Sequence, residues 1–289
     1  HKNNEGNLFS MKINLAKSAG FCFGVKRALT IAFNAVQEEN KVFMLGDIVH
    51  NEDVVKEINK SGIKKINRLS KGRNKTLLIR AHGASQKTLA RARFLGYKII
   101  DATCPMVKEI HTIAVDAEKK GYHIIVIGDK KHDEVLGIVG QLKNKAIVID
   151  GVTTIPLRKI KEIRKAAVVV QSTQAIEKTT AIIAVLKKHI GEVRFFNTIC
   201  KPTRIKQEEI KQMPIDNDAM IIIGSKTSAN TKRLYEIARS LNKRSYWIQS
   251  KNEIHPLWLK GIFSVGIAAG ASTPDSTTRE VIDSIKKLT

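Results

Sequence analysis

From Met11 onward, short β-branched apolar runs alternate with stretches whose apolar residues recur every three or four positions. The runs predict strands at 13–16, 41–45, 76–80, 98–101, 123–127, 167–170, 193–197, 219–223 and 263–268. The longer periods predict helices over 25–38, 86–95, 106–120, 175–189, 231–241 and 276–288. This alternation points to an α/β fold with mostly parallel sheets, because parallel neighbours need a crossover, usually helical. Residues 1–10 are polar and patternless and read as a cloning remnant or frayed extension.

The loops after the apolar runs carry a longer repeat. One type reads LGDIVHNEDV at 45–54, IGDKKHDEVL at 127–136 and IGSKTSANTK at 223–232. A second reads RAHGAS at 80–85, VQSTQA at 170–175 and AAGASTPD at 268–275. A third holds the cysteines: SAGFCFGV at 18–25, DATCPMV at 101–107 and NTICKPT at 197–203. Cys22 to Cys104 is 82 residues and Cys104 to Cys200 is 96, and Gly46, Gly128 and Gly224 repeat both intervals. The expected organisation is three similar α/β domains over 24–104, 105–200 and 201–289, with 11–23 adding a strand and a cysteine loop to the third domain. Ligands of open α/β sheets sit beyond the carboxyl ends of the strands. A trefoil of such units would therefore bring one cysteine from each to a common centre, with the polar loops around it.

Composition narrows the classes. Of 289 residues, 50 are Lys or Arg and 27 Asp or Glu, for a net charge of +23. The 43% hydrophobic content is enough for a core and excludes a wholly disordered chain. No apolar run approaches the roughly 20 residues of a membrane span. The basic residues are scattered in small groups without interleaved aromatics. They read as a lysine-rich solvated surface that attracts anions and acidic partners, rather than as a nucleic-acid footprint. Three cysteines cannot make a fully paired disulfide framework, and a cytoplasmic location is expected.

Singly, each cysteine reads as a small buried hydrophobe. Three at equivalent places of three repeats read instead as a soft anionic cage suited to an iron–sulfur cluster, one iron being left without a protein ligand. His50, His82 and His132 stand in the repeated polar loops, where single histidines would pass as structural. Asp133 fits a helix cap. Glu134 either sits in the first turn because it suits the dipole or faces the pocket as a proton donor, and spacing does not choose. Ser172, Thr173, Ser228, Asn230 and Ser272 read as helix caps, anion ligands, or both.

FCFGVKRA, VHNEDVV, AHGAS, DATCP, KHDEVLGIVGQ, NTIC, SANT and GASTPD occur in an order that resembles the 4-hydroxy-3-methylbut-2-enyl diphosphate reductases over about residues 11–289. The resemblance implies a [4Fe–4S] cluster on Cys22, Cys104 and Cys200, its open iron taking the substrate hydroxyl. It implies reductive removal of that hydroxyl to give isopentenyl and dimethylallyl diphosphate, with Glu134 delivering the proton and Ser172 or Thr173 relaying it. It further implies diphosphate binding by His50 and His82, with His132 beside it supporting the relay, and by Ser228, Asn230 and Ser272. Reduced ferredoxin or flavodoxin is the implied electron donor. The chain departs from the family pattern twice, having Ser172 where a threonine is usual after the glutamine, and Ala229 where many members have a second serine.

Overall fold

A computed structural model of the protein describes residues 11–39 and 41–288. The extension read at 1–10 lies outside the described residues. The elements follow as β1 (Lys12–Leu15), α1 (Phe23–Glu38), β2 (Val42–Leu45), α2 (Glu52–Lys60), β3 (Lys64–Ile66), β4 (Thr76–Ile79), α3 (Gln86–Phe94) and β5 (Lys98–Asp101). Next come α4 (Pro105–Lys119), β6 (His123–Ile127), α5 (Asp133–Val139), β7 (Ile147–Ile149), α6 (Leu157–Ile160), β8 (Lys165–Val170), α7 (Ile176–His189) and β9 (Glu192–Phe195). The chain closes with α8 (Lys201–Asp216), β10 (Ala219–Ile223), α9 (Ala229–Leu241), β11 (Ser245–Ile248), β12 (Ser264–Ala269) and α10 (Asp275–Leu288).

Among the described residues the strands form three four-stranded sheets, in the orders β3-β2-β4-β5, β7-β6-β8-β9 and β11-β10-β12-β1. Every pairing is parallel. The three orders are one topology. In the third sheet β1, pairing Lys12 with Ser264 through Leu15 with Ile267, takes the place that β5 and β9 hold in the others. Cys22–Arg204 is one compact unit holding the first two sheets. The segment ending at Phe21 and the segment beginning at Ile205 make the other, holding the third.

The two-residue period of the strands sorts side chains onto opposite sheet faces. On one side of β6 and β8, Ile125, Ile127, Val168 and Val170 pack with Ile182 and Leu186 of α7. On the other, Ile124, Val126, Ala167 and Val169 pack with Ile110 and Ala114 of α4 and Val135 and Ile138 of α5. Helices on both faces explain why β6 and β8 are apolar almost throughout rather than alternating. Each fully buried Ile or Val there stabilises the layer by about 2 kcal/mol. The third sheet repeats the scheme, with Ile221 and Ile267 toward Val281 and Ile285 of α10, and Met220 and Ile222 toward Leu234 of α9.

Most predicted elements lie within two or three residues of those observed. The strands absent from the prediction are β3, β7 and β11, the same edge strand of each sheet. They have only three or four residues, and β3 (Lys64, Lys65, Ile66) has no apolar pattern to read. Helices α2, α5, α6 and α8 were also unmarked; α5 has seven residues, α6 four, and α8 carries Pro214 and a mostly polar run.

Candidate functional site

Cys22, Cys104 and Cys200 each occupy the N-cap position or the residue just before a helix, at the start of α1, α4 and α8. None of these helices has an acidic residue in its first turn, although helix N-termini favour negative charge. The free thiols, all half-buried, converge. A Cβ placed on Gly24 would lie 2.6 Å from Cys104 Sγ and 3.9 Å from Cys22 Sγ, so only glycine leaves the sulfurs room. Cys200 Sγ lies 3.1 Å from Thr203 Oγ1, and the Cys22 sulfur is near enough for its charge to be felt at both Cys104 and Cys200.

Burial is the main cause that pushes the Cys104 and Cys200 thiols above their ordinary range. The N–H groups of Met106 and Val107, and the N–H and hydroxyl of Thr203, pull the other way. The negative neighbours Cys22 and Glu134 add to the rise. Three soft donors around one point over a glycine floor fit an iron–sulfur cluster held by three cysteines. Metal binding there would displace the thiol protons.

Glu134 lies in the first turn of α5 and is buried, 2% exposed. Ser172 N–H donates to its Oε1 at 2.6 Å, and its Oε2 lies 2.8 Å from Ser172 Oγ. Burial raises its pKa, against the two Ser172 bonds that lower it, so the carboxyl holds its proton to a higher pH than an exposed glutamate. Ser172 also ties this group to the sulfurs, since Cys200 N–H donates to the Ser172 carbonyl at 3.0 Å. In the same way Cys104 N–H donates to the Ala81 carbonyl, beside His82, at 3.0 Å. These two bonds anchor the cysteine loops to the loops after β8 and β4.

His50, His82 and His132 follow β2, β4 and β6 and form a triangle with ring centroids 4.5, 5.1 and 5.4 Å apart. Their ligating atoms lie within 4.8 Å of one another, a spacing one metal ion could bridge. The tautomer argues for an anion instead. His132 Nδ1 accepts the Glu134 N–H at 3.2 Å as the cap of α5, so in the neutral ring Nε2 carries the hydrogen and acts as a donor. Burial lowers the pKa of His50 and, more strongly, of His82, whose Nδ1 is buried without a hydrogen-bond partner. A ligand that accepts or donates there would satisfy that atom.

Asp133 does not cap α5; His132 does. The reason is geometric: the cap side chain must come from the residue before the helix, and Asp133 is its first residue. Its carboxylate is held instead by Arg80 Nη1 at 2.7 Å and lies 3.9 Å from His50 Nε2. Arg80, which immediately precedes the AHGAS string, is a neighbour of this group that the sequence motifs did not single out. A second is His111 of α4. Its ring lies within reach of a Cβ on either Gly83 (3.0 Å) or Gly137 (3.6 Å), between the His82 loop and the helix of Glu134. Gly83 also has φ +78°, a backbone that glycine adopts freely.

Ser172 and Thr173 are not caps either, because α7 begins only at Ile176 and its N-cap is Ala175. Thr173 Oγ1 accepts from Gln171 Nε2 at 3.2 Å. In the other unit Ser228 is a true cap, accepting the Thr231 N–H at 3.3 Å. Asn230 is buried with neither side-chain polar atom hydrogen-bonded, and Ser272 is buried in the turn before α10.

The family profile described as LytB protein matches residues 13–286. The chain is 39% identical over 278 residues to the 4-hydroxy-3-methylbut-2-enyl diphosphate reductase of Geotalea uraniireducens, covering 96% of this chain and 98% of that one. It is 37% identical to the same-named protein of Aquifex aeolicus, over 96% of each. A solved (E)-4-hydroxy-3-methyl-but-2-enyl diphosphate reductase superposes with TM-score 0.71 at 36% identity, over 96% of this chain and 99% of that one. The reductase structure from Plasmodium falciparum superposes with TM-score 0.86 at 26% identity, over 95% and 87%.

Proposed function

The chain belongs to the LytB protein family, and on that premise we propose that it converts (E)-4-hydroxy-3-methylbut-2-enyl diphosphate to isopentenyl and dimethylallyl diphosphate. It is an oxidoreductase. The reaction consumes two electrons and two protons: the allylic C–O bond breaks, one proton leaves with the oxygen as water, and the other ends on carbon. A [4Fe–4S] cluster on Cys22, Cys104 and Cys200 would supply the electrons and, at its iron without a cysteine, a Lewis acid for the hydroxyl.

The remaining work falls to side chains. Hydroxide is a poor leaving group, so a proton must arrive as the bond breaks. Glu134 lies in a buried site that raises its pKa, and Ser172 orients the carboxyl through both of its oxygens. Ser172, whose Oγ bonds the carboxyl, or Thr173 relays the proton. The diphosphate goes to His50, His82 and His132. Neutral imidazoles donate N–H groups to it, and the Arg80 guanidinium adds positive charge beside them. Diphosphate binding by Ser228, Asn230 and Ser272 belongs to the same proposal, and the two bare polar atoms of Asn230 support it. A pocket shut around the substrate would keep bulk water from protonating the reduced allyl group at random. Reduced ferredoxin or flavodoxin is the proposed electron donor. Three free thiols suit a reducing, cytoplasmic setting. Among the described residues no helix is long and apolar enough to cross a membrane.

The observation that carries the proposal is the backbone bond from Cys200 to Ser172, which links a cysteine loop to the residue that binds the buried Glu134 carboxyl. The test is anaerobic reconstitution with iron and sulfide, then turnover with a reduced dye and the allylic diphosphate. A brown protein that forms both products supports the reading. A colourless protein, or a brown one that leaves the substrate intact, refutes it.

A further inference from the structure

In each sheet the loop after β2, β6 or β10 begins with a glycine that donates its N–H to the edge strand. Gly46 donates to the Ile66 carbonyl at 3.3 Å, Gly128 to Ile149 at 2.9 Å and Gly224 to Ile248 at 2.9 Å. The residue just before that acceptor is Lys65, Val148 or Trp247. Val148 has no side-chain donor. Lys65 Nζ donates to the Asp47 carboxylate at 2.9 Å and so holds the residue after Gly46. Trp247 holds its loop at more points. Its Nε1 donates to the Gly224 carbonyl at 2.8 Å, so both backbone groups of this buried glycine end on β11. The Lys226 ammonium lies 4.8 Å over the same indole and donates to the Trp247 carbonyl. Lys226 N–H donates to Gln249 Oε1 at 3.2 Å, and the Tyr235 ring of α9 lies 5.5 Å from the Trp247 ring.

The turn held in this way is the one that presents Ser228 and Asn230. Gly224 packs against the first turn of α9, where Thr231 Oγ1 would lie 2.5 Å from a Cβ placed on the glycine. Ser228 N–H donates to the Ser225 carbonyl at 3.1 Å, and Ser228 Oγ accepts from Thr231 N–H. Asn230, 4% exposed, sits between these two residues with neither side-chain polar atom hydrogen-bonded. Its aim is therefore set by the backbone around it. We propose that Trp247 is a positioning residue for diphosphate binding, which keeps the turn from Gly224 to Ser228 and the start of α9 in the arrangement that directs Ser228 and Asn230 at the ligand. The inference rests on the reading of those two residues given above. Without the indole N–H the buried Gly224 carbonyl loses its partner, and the turn relaxes to satisfy it elsewhere. Affinity then falls with the share of molecules still in the binding arrangement, so a turn set correctly in about one molecule in five binds about fivefold more weakly. The proton donor Glu134 sits on α5, outside this sheet, so the chemical step keeps its rate.

The test uses the iron-loaded protein and two readouts: calorimetric titration with inorganic diphosphate, and turnover of the allylic diphosphate with a reduced dye. Trp247→Phe keeps a ring beneath Lys226 but removes the donor. It should raise both the Kd for diphosphate and KM about fivefold, with kcat and iron content within twofold of the unaltered protein. Trp258→Phe makes the same change at the indole stacked on Tyr246, 4.1 Å away, and should leave Kd and KM within twofold. Unchanged Kd and KM in Trp247→Phe, an equal loss in Trp258→Phe, or a fall in kcat alone would overturn the positioning role. If Trp247→Phe does not fold, Gln249→Leu takes its place by removing the acceptor of Lys226 N–H. That variant should also raise Kd with kcat kept, and an unchanged Kd would overturn the proposal. Ser228→Ala separates the two readings. If it binds inorganic diphosphate as tightly as the unaltered protein, Ser228 is no diphosphate ligand, and the role of Trp247 falls with that assignment.

Discussion

Replacing Glu134 with Gln separates the proton from everything else the carboxyl does. Gln Oε1 can still accept the Ser172 N–H now at 2.6 Å, and its amide can donate to the Ser172 Oγ now at 2.8 Å. The fold should therefore survive with a stability change of about 1 kcal/mol or less near pH 5. Catalysis should not survive. A positioned general acid is worth ~10²–10⁴-fold, which is about 3–5 kcal/mol of barrier. Stability should also change its pH dependence, and the sign follows from burial. The pKa of Glu134 is raised in the folded state above its ordinary 4.5, so above that pH the unfolded chain gives up the proton first. The wild-type protein then loses stability as pH rises, until the folded-state carboxyl ionises as well. The Gln variant lacks this loss, so its stability relative to wild type should grow between pH 5 and pH 8. Anaerobic steady-state turnover, iron analysis and denaturant unfolding at both pH values measure all three effects. Near wild-type turnover, or a stability difference indifferent to pH, would refute the reasoning.

Cys104→Ser should sharply reduce iron retained per chain, because an alkoxide is a poor substitute for a soft thiolate; full iron content would contradict the convergent site. Asp133→Asn should cost about 1 kcal/mol in unfolding by taking away the partner of Arg80. It should alter KM for the diphosphate more than kcat, since the carboxylate lies beside His50 and makes no bond to Glu134; a dead variant with its iron intact would move the proton donor to Asp133. His111 is held down to a pKa of about 4 by burial, from 6.5. The unfolded chain therefore takes up this proton first, and stability is lost as pH falls from 6.5 toward 4, by at most about 3 kcal/mol. His111→Leu should remove that acid sensitivity, as read by urea unfolding at pH 7 and pH 5.

The sequence by itself determined the parallel α/β class, the threefold repeat and the candidate chemistry. Those features are written locally: β-branched runs such as Ile124–Ile127 state their burial, and the three cysteine loops state their kinship by common spacing. The three edge strands were not legible, because segments like Lys64–Ile66 are made into strands by the neighbour they pair with and not by their own pattern. The site divided along the same line. That Cys22, Cys104 and Cys200 belong together was readable from repetition. The role of each polar group around them was not, because it depends on which atoms meet across long sequence distances. Only the tertiary structure turned Asp133 from a cap into the partner of Arg80, 53 residues away, and gave the cap to His132. It also set Ser172 against Glu134 across 38 residues and wedged His111 beneath Gly83 and Gly137. A local pattern records what a residue prefers to be near, water or oil. Hydrogen bonds and ion pairs are directional and short, so their partners are decided only when the packed layers bring two distant loops to within about 3 Å.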